Sequence, residues 1–245
     1  MKKTVLITGA SRGIGASTAK VFASHDYNIV INYYNSEKEA KELSKTLEEK
    51  FHIKTYLIKA DISNKEEIEN MLESLKENNI SIDCLVNNAG ISRDSLFEDK
   101  TIEDFELVLK TNLIGPFWLS KKIGQEMYRR KSGKIINVTS TNALDTYYPM
   151  SADYDASKSG LLSLTHNLAV EFAPYVNVNA VAPGWTKTDM VKNIDDEYEK
   201  EETKKILLQR FAEPQEIANV IYFLSTEEAK YINNEVIRVD GGWYL

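Results

Sequence analysis

Seven short β-rich runs alternate with segments of helical spacing along these 245 residues, and that alternation narrows the possible folds. The runs cover residues 4–8, 28–34, 54–60, 83–89, 134–140, 176–182 and 235–239. Several are apolar without a break at their centres, the pattern of strands covered on both faces. Between them, "NKEEIENMLESLKENN" sets Ile68, Met71, Leu72 and Leu75 on one helical face and charges on the other. Ser63 or Asn64 is the expected cap of that helix. Strand, helix, strand in repetition predicts an α/β fold: one doubly wound parallel sheet of about seven strands, helices on both faces, in a single domain over 1–245. Such sheets bind ligands at the carboxyl ends of their strands, so the residues that follow each strand are the candidates for function.

The bulk numbers remove several alternatives. A net charge of -7 argues against general nucleic-acid binding. The single cysteine, Cys84, lies inside an apolar run and reads as a small buried residue, with no disulfide framework. No apolar run approaches membrane-spanning length, and the apolar stretch in "MKKTVLITGAS" is too short for a secretory signal. A cytoplasmic protein is expected. His25, His52 and His166 show no metal-ligand spacing, so no metal site is expected and none of the three is expected to be catalytic.

"TGASRGIG", residues 8–15, follows the first run and opens a helix. Gly9, Gly13 and Gly15 let the backbone turn tightly and approach a pyrophosphate. The helix that follows offers free N–H groups and partial positive charge to that anion. A glycine turn that only packs helix on strand is the plainer alternative. After the second run, where an NAD site would place a carboxylate for the ribose 2′-hydroxyl, this chain has Tyr33, and no acid arrives until Glu37. Arg12 could pair with a 2′-phosphate. Both features favour NADP(H) as cofactor.

Tyr154 and Lys158 are four residues apart in a helical segment and share a face. A neighbouring ammonium is expected to lower the phenol's pKa, so the pair could exchange a proton with a carbonyl or alcohol oxygen. Ser140 closes the fifth run, at the ligand end of the sheet.

At this point the sequence resembles a short-chain dehydrogenase/reductase. The resemblance runs through "TGASRGIG", "ADIS", "NNAG", "TNLIG", "INVTS", "YDASK", "VNAVAPGWTKTDM" and "EVIRVDGG", in order along essentially the whole chain. It implies a Rossmann-like sheet, a tetramer, and roles for named residues. Asn112 would kink a helix and hold a water in a proton relay to Lys158. Ser140 would orient the substrate carbonyl, and Tyr154 would be the acid in reduction. Lys158 would also bond the nicotinamide ribose. Gly9, Ser11, Arg12, Gly13, Ile14, Gly15 and Tyr33 would surround the phosphates and adenosine ribose, and Asp61 and Ile62 would touch the adenine. Asn88, Ala89 and Gly90 would line the dinucleotide, and Pro183, Gly184, Thr186 and Thr188 would frame the nicotinamide.

Within that family the chain is most similar to the bacterial 3-oxoacyl-[acyl-carrier-protein] reductases, through "ISRDSLF", "RFAEPQEIANVIYFL" and "YINNEVIRVDGG". That similarity implies NADPH-dependent reduction of a 3-oxoacyl thioester carried on an acidic acyl carrier protein. Arg129, Arg130 and Lys131 fit a carrier-docking patch and equally fit charge complementation at a helix end. Two departures stand out. The loop "EFAPYVNVN" lacks the arginine and glycine common in the group. "TNALDTYYPMSAD" brings Tyr147, Tyr148, Pro149 and Met150 to a wall of the pocket where small residues are usual. The alternatives are therefore a reductase of another small ketone, sugar or polyol, or a dinucleotide-binding sensor without turnover. Residues 186–210 are expected to form a substrate lid; their charge also suits a solvated helix.

Overall fold

The computed structural model describes residues 2–145, 147–192 and 194–244; Met1, Leu245 and, within the expected lid, Asn193 lie outside the described residues. The expected strands form β1 (Thr4–Ile7), β2 (Asn28–Tyr33), β3 (Thr55–Lys59), β4 (Cys84–Asn87), β5 (Gly133–Val138), β6 (Val176–Pro183) and β7 (Val236–Val239). All pair in parallel in the order β3-β2-β1-β4-β5-β6-β7. The order reverses between β1 and β4, which opens a crevice at their carboxyl ends.

The unbroken apolar runs follow from burial of both faces. In β1, Val5 and Ile7 belong to one core and Leu6 to the other; in β4, Cys84 and Val86 lie opposite Leu85. The first core is closed by α1 (Gly13–Ser24), α2 (Glu37–Phe51) and α8 (Pro214–Ser225). The second is closed by α3 (Lys65–Glu77), α5 (Gly115–Arg129) and α6 (Ala152–Glu171). In α3, Ile68, Met71 and Leu75 are buried and Leu72 packs at the margin, as the spacing predicts. Asn64 is its cap, accepting from the N–H groups of Glu66 and Glu67. Burial pushes the Cys84 thiol well above its ordinary pKa, in keeping with a packing role.

Two short helices complete the chain, α4 (Ile102–Leu109) and α7 (Asp196–Lys204). Residues 110–114 between α4 and α5 form one wide π turn, closed by the Gly115 N–H on the Lys110 carbonyl. Gly115 is required there by close approach: a Cβ at this position would stand 2.2 Å from the Ile62 carbonyl oxygen. Backbone on the facing side cannot swing away as a side chain would. Gly115→Ala should therefore destabilise the protein by about 1–3 kcal/mol, the range for overpacking. At about 2–4 °C per kcal/mol for a chain of this size, thermal unfolding followed by circular dichroism should register a clear fall in Tm.

Candidate active site

The expected site residues converge on the carboxyl edge of the sheet: most lie in segments that directly follow parallel strands, Asn112 comes from the turn between α4 and α5, and Tyr154 and Lys158 come from α6. The β1–α1 loop carries Gly9, Ser11, Arg12, Gly13, Ile14 and Gly15. Gly9 and Gly13 adopt positive φ of 61° and 56°. A Cβ on Gly9 would press on Ala89 at 3.0 Å, so this loop and the one after β4 are in backbone contact. Thr8 and Asn88 stitch the two loops together. Thr8 Oγ1 accepts the N–H groups of Asn88 and Ala89 at 3.0 Å, and Asn88 Nδ2 donates to the Thr8 carbonyl at 2.9 Å. Asn32, buried in β2, accepts from the Gly9 N–H and donates to the Ala60 carbonyl. The sequence reading named neither Thr8 nor Asn32; a polar residue interrupting an apolar run was the available signal.

The amino end of α1 fits an anion. Arg12 occupies the cap position without a side-chain cap bond, and no acid stands in the first turn. Arg12 is largely exposed and lies 3.5 Å from Asp189, while Thr188 stands over Gly13. These contacts bring the segment after β6 across the glycine loop. Between them is a cavity of about 610 Å³ lined in part by Ser11, Arg12, Gly13, Lys20, Lys187 and Thr188. Pro183 ends β6, the Gly184 N–H bonds the Val239 carbonyl, and the Thr186 hydroxyl donates to the Gly184 carbonyl at 3.0 Å. Tyr33 ends β2 and is mostly buried. Asp61 accepts the Ser63 N–H, whereas Ile62 is packed into the core with 4% of its surface exposed.

The proton-transfer candidates meet between β4, β5 and α6. Asn112 sits in the π turn, fully buried. Its side chain accepts the Ile91 N–H at 2.9 Å and donates to the Ile91 carbonyl at 2.9 Å and to Ser157 Oγ at 3.0 Å. Ser157 in turn donates to the Tyr154 carbonyl at 2.7 Å. Lys158 Nζ donates to the Val138 carbonyl at 2.8 Å and lies 5.6 Å from the centre of the Tyr154 ring. Gly90 leaves the room in which Asn112 and Lys158 face each other; a Cβ there would lie 3.3 Å from both Asn112 Oδ1 and Lys158 Nζ. Ser140 Oγ is hydrogen-bonded with Asn142 and stands close enough to the Tyr154 phenol to act on its ionisation.

The electrostatics correct one expectation. Tyr154 is not shifted down by the lysine. Burial pushes its phenol up to about 12; the nearby Ser140 hydroxyl opposes this, while Asp155 and Asp94 add to the rise. Burial also brings Lys158 down to about 8. Desolvation thus outweighs the pairing read from the four-residue spacing.

The basic triplet is at the opposite end. Arg129 ends α5, and β5 starts at Gly133, so the triplet flanks the amino ends of the strands. Arg130 donates to Ser81 Oγ and the Ile82 carbonyl and lies 3.8 Å from Asp83, bracing the entry to β4. Ser140 follows the far end of β5, some 20 Å away at about 3.3 Å per residue. A docking patch at the mouth of the same chain's site is therefore not what this triplet forms.

The aromatic wall is present. Tyr148 and Tyr198 have ring centres 6.4 Å apart, Tyr198 lies 6.0 Å from Trp185, and Trp185 stacks on Phe211 at 5.3 Å. Glu202, on α7, accepts from the Trp185 indole at 3.0 Å. Among the described residues no helix is long and apolar enough to cross a membrane.

A family model described as enoyl-(acyl carrier protein) reductase matches residues 9–244. The 3-oxoacyl-[acyl-carrier-protein] reductase FabG of Staphylococcus epidermidis is 38% identical, with 100% of each chain covered. A crystal structure of the 3-oxoacyl-[acyl-carrier protein] reductase from Brucella melitensis superposes with a TM-score of 0.92 at 29% identity, over 99% of this chain and 91% of that one. Acetoin dehydrogenase from Salmonella typhimurium superposes with a TM-score of 0.89 at 29% identity, over 99% and 96%. With its fold, its ordered motifs and full-length relatives in agreement, this chain is an oxidoreductase that belongs to the short-chain dehydrogenase/reductase family.

Proposed function

We propose that this enzyme reduces a 3-oxoacyl thioester, carried on acyl carrier protein, to the 3-hydroxyacyl product with NADPH in the cytoplasm. The observation that carries this reading is the Tyr154 phenol, close to Ser140 and underlain by the buried Lys158, beside a glycine loop suited to a pyrophosphate. The named activity of the full-length relatives supports the substrate class. Bound NADPH supplies the hydride. Gly9, Ser11, Gly13, Ile14 and Gly15 would face its pyrophosphate; Asp61 and Ile62 its adenine; Asn88, Ala89 and Gly90 its length; Pro183, Gly184, Thr186 and Thr188 its nicotinamide. Arg12 supports NADPH over NADH, as does the lack of an acid directly after Tyr33. The first acid that follows, Glu37, is paired with Lys41 at 2.6 Å.

Ser140 turns its hydroxyl from Asn142 toward the substrate carbonyl oxygen. Tyr154 gives its proton to that oxygen as hydride reaches the carbon, so the carbonyl becomes an alcohol. A phenol near pKa 12 holds its proton throughout the neutral range. The Lys158 ammonium stabilises the phenolate that forms, and Asn112 holds the water through which the proton is restored. Residues 186–210, with α7, act as the lid. Exposed Phe117 and Tyr128 on α5 and Val170 on α6 suit subunit packing into a homotetramer. A second reading, reduction of a smaller ketone, is favoured by the Tyr148, Tyr198 and Trp185 wall. A sensor without turnover is disfavoured, because four chemically distinct groups stand in working contact.

The deciding assay follows NADPH absorbance with an acetoacetyl thioester, free and on carrier protein, against acetoin and simple ketones. Preference for the small ketones would favour the second reading. Tyr154→Phe should lose at least ~100-fold in kcat, the usual scale for general acid catalysis, while still binding cofactor. Near-normal turnover would remove Tyr154 from its role. Arg12→Ala should weaken NADPH more than NADH, read as dissociation constants by fluorescence; equal loss would remove the 2′-phosphate contact. Lys158 sets the pH dependence. Its proton is present below about 8 and lost above it, while Tyr154 stays protonated. kcat/KM for NADPH, which reports the free enzyme, should be flat below pH 8 and fall above it. Lys158→Arg, which keeps its charge, should abolish that fall.

A further inference from the structure

We propose that the two carboxylates bracketing Tyr154, Asp153 and Asp155, are positioning residues that lock the proton-donating tyrosine to the two loops walling the substrate. Acids in the first turn of a helix ordinarily face solvent and complement the helix dipole. Asp153 does something else. It is fully buried, and its Oδ2 lies 3.1 Å from Lys100 Nζ, whose side chain is itself 7% exposed. Its other oxygen accepts the N–H of Tyr154 at 2.9 Å. Lys100 also donates to the carbonyls of Arg93 and Met150. The Met150 carbonyl accepts the Ser95 N–H as well. One ammonium thus gathers residues 91–100, residues 147–151 and the start of α6.

Asp155 grips the other side. Its Oδ1 accepts from Asn142 Nδ2 at 2.6 Å and Ser151 Oγ at 2.9 Å, and its Oδ2 from the Tyr148 N–H at 3.3 Å. Because Asn142 gives its amide to Asp155, its carbonyl oxygen must face Ser140, at 3.3 Å. Asp153 therefore fixes the Tyr154 backbone, and Asp155, through Asn142, fixes the Ser140 hydroxyl that stands near the Tyr154 phenol. A buried ion pair adds little stability over an apolar pair of equal size. What Lys100 and Asp153 provide is a defined geometry, and sub-ångström placement governs proton transfer.

The clamp rests on Tyr154 being the proton donor, so Tyr154→Phe is assayed alongside. Lys100→Met, Lys100→Met/Asp153→Asn and Asp155→Asn are compared with the parent, each at 20 °C below its own Tm. Lys100→Met should lower kcat at least ~10-fold with the NADPH dissociation constant within about twofold, because no clamp residue is assigned to the cofactor. The double variant leaves no unpaired buried charge. Its Tm should recover, while kcat stays low. Asp155→Asn should lower kcat similarly, since it points a donor at groups that donate. Turnover within twofold of the parent in the folded Lys100→Met or Asp155→Asn variant overturns the clamp. So does a double variant whose kcat recovers with its Tm, since the pair would then serve the fold alone. If Tyr154→Phe turns over normally, the tyrosine's assignment fails first. If Tyr154→Phe is inactive and Lys100→Met is not, only the clamp fails.

Discussion

The chemistry proposed for this enzyme depends on holding an ammonium group inside the protein. Lys158 is 3% exposed, and its hydrogen bond is to the Val138 carbonyl at the end of β5. Burial without a carboxylate partner disfavours its charge, which is why its pKa falls toward neutrality. Around this group the fold leaves little freedom. Gly90 must lack a side chain for Asn112 and Lys158 to face each other, and the π turn at 110–114 places Asn112 there. The parallel sheet makes the meeting possible by ending β4 and β5 side by side. Residues distant in sequence therefore arrive at one point through strand pairing, the π turn and α6 acting together.

Desolvation has a second consequence. The same burial that lowers Lys158 raises Tyr154, so desolvation drives the two groups apart in their titration. The lysine is poised to titrate near physiological pH while the phenol remains a proton donor. A site with more water would keep the lysine charged but would weaken its hold on the phenolate formed during reduction, since the attraction scales inversely with the local dielectric.

The architecture was legible in the sequence because both-face burial leaves an uninterrupted apolar run in several of the seven strands, and helical spacing separates them. Gly9, Ser140, Tyr154 and Lys158 were legible because each follows a strand or shares a helix face. Three features were not. Asp153 and Asp155 carry no signal of their own in the sequence; only their partners, 53 and 13 residues away, turn them inward. Arg130 read as an available cation, but its neighbours across the sheet's amino edge occupy it. The direction of the Tyr154 shift was misread because a spacing of four residues conveys proximity and says nothing of water. In each case the missing quantity was long-range packing, which local pattern does not encode.

The walls of the site differ in how firmly they are held. Residues 91–100, 141–145 and 147–151 are tied to α6 through Asp153 and Asp155, the former with its ion pair almost wholly out of water. The segment after β6 reaches the glycine loop through Arg12 and Asp189, more than half exposed and 3.5 Å apart. Exposed pairs contribute about 0–1 kcal/mol and weaken with salt, so this contact opens at little cost. The hierarchy matches the division of labour. In the proposed reaction the substrate carbonyl meets Ser140 and Tyr154 in one geometry, which demands rigid walls. A dinucleotide that enters and leaves on every turnover requires one wall that yields, and its 2′-phosphate would compete with Asp189 for the same guanidinium. In the proposed enzyme, cofactor arrival and release of that wall are then linked through Arg12, while the proton-transfer geometry beneath stays fixed.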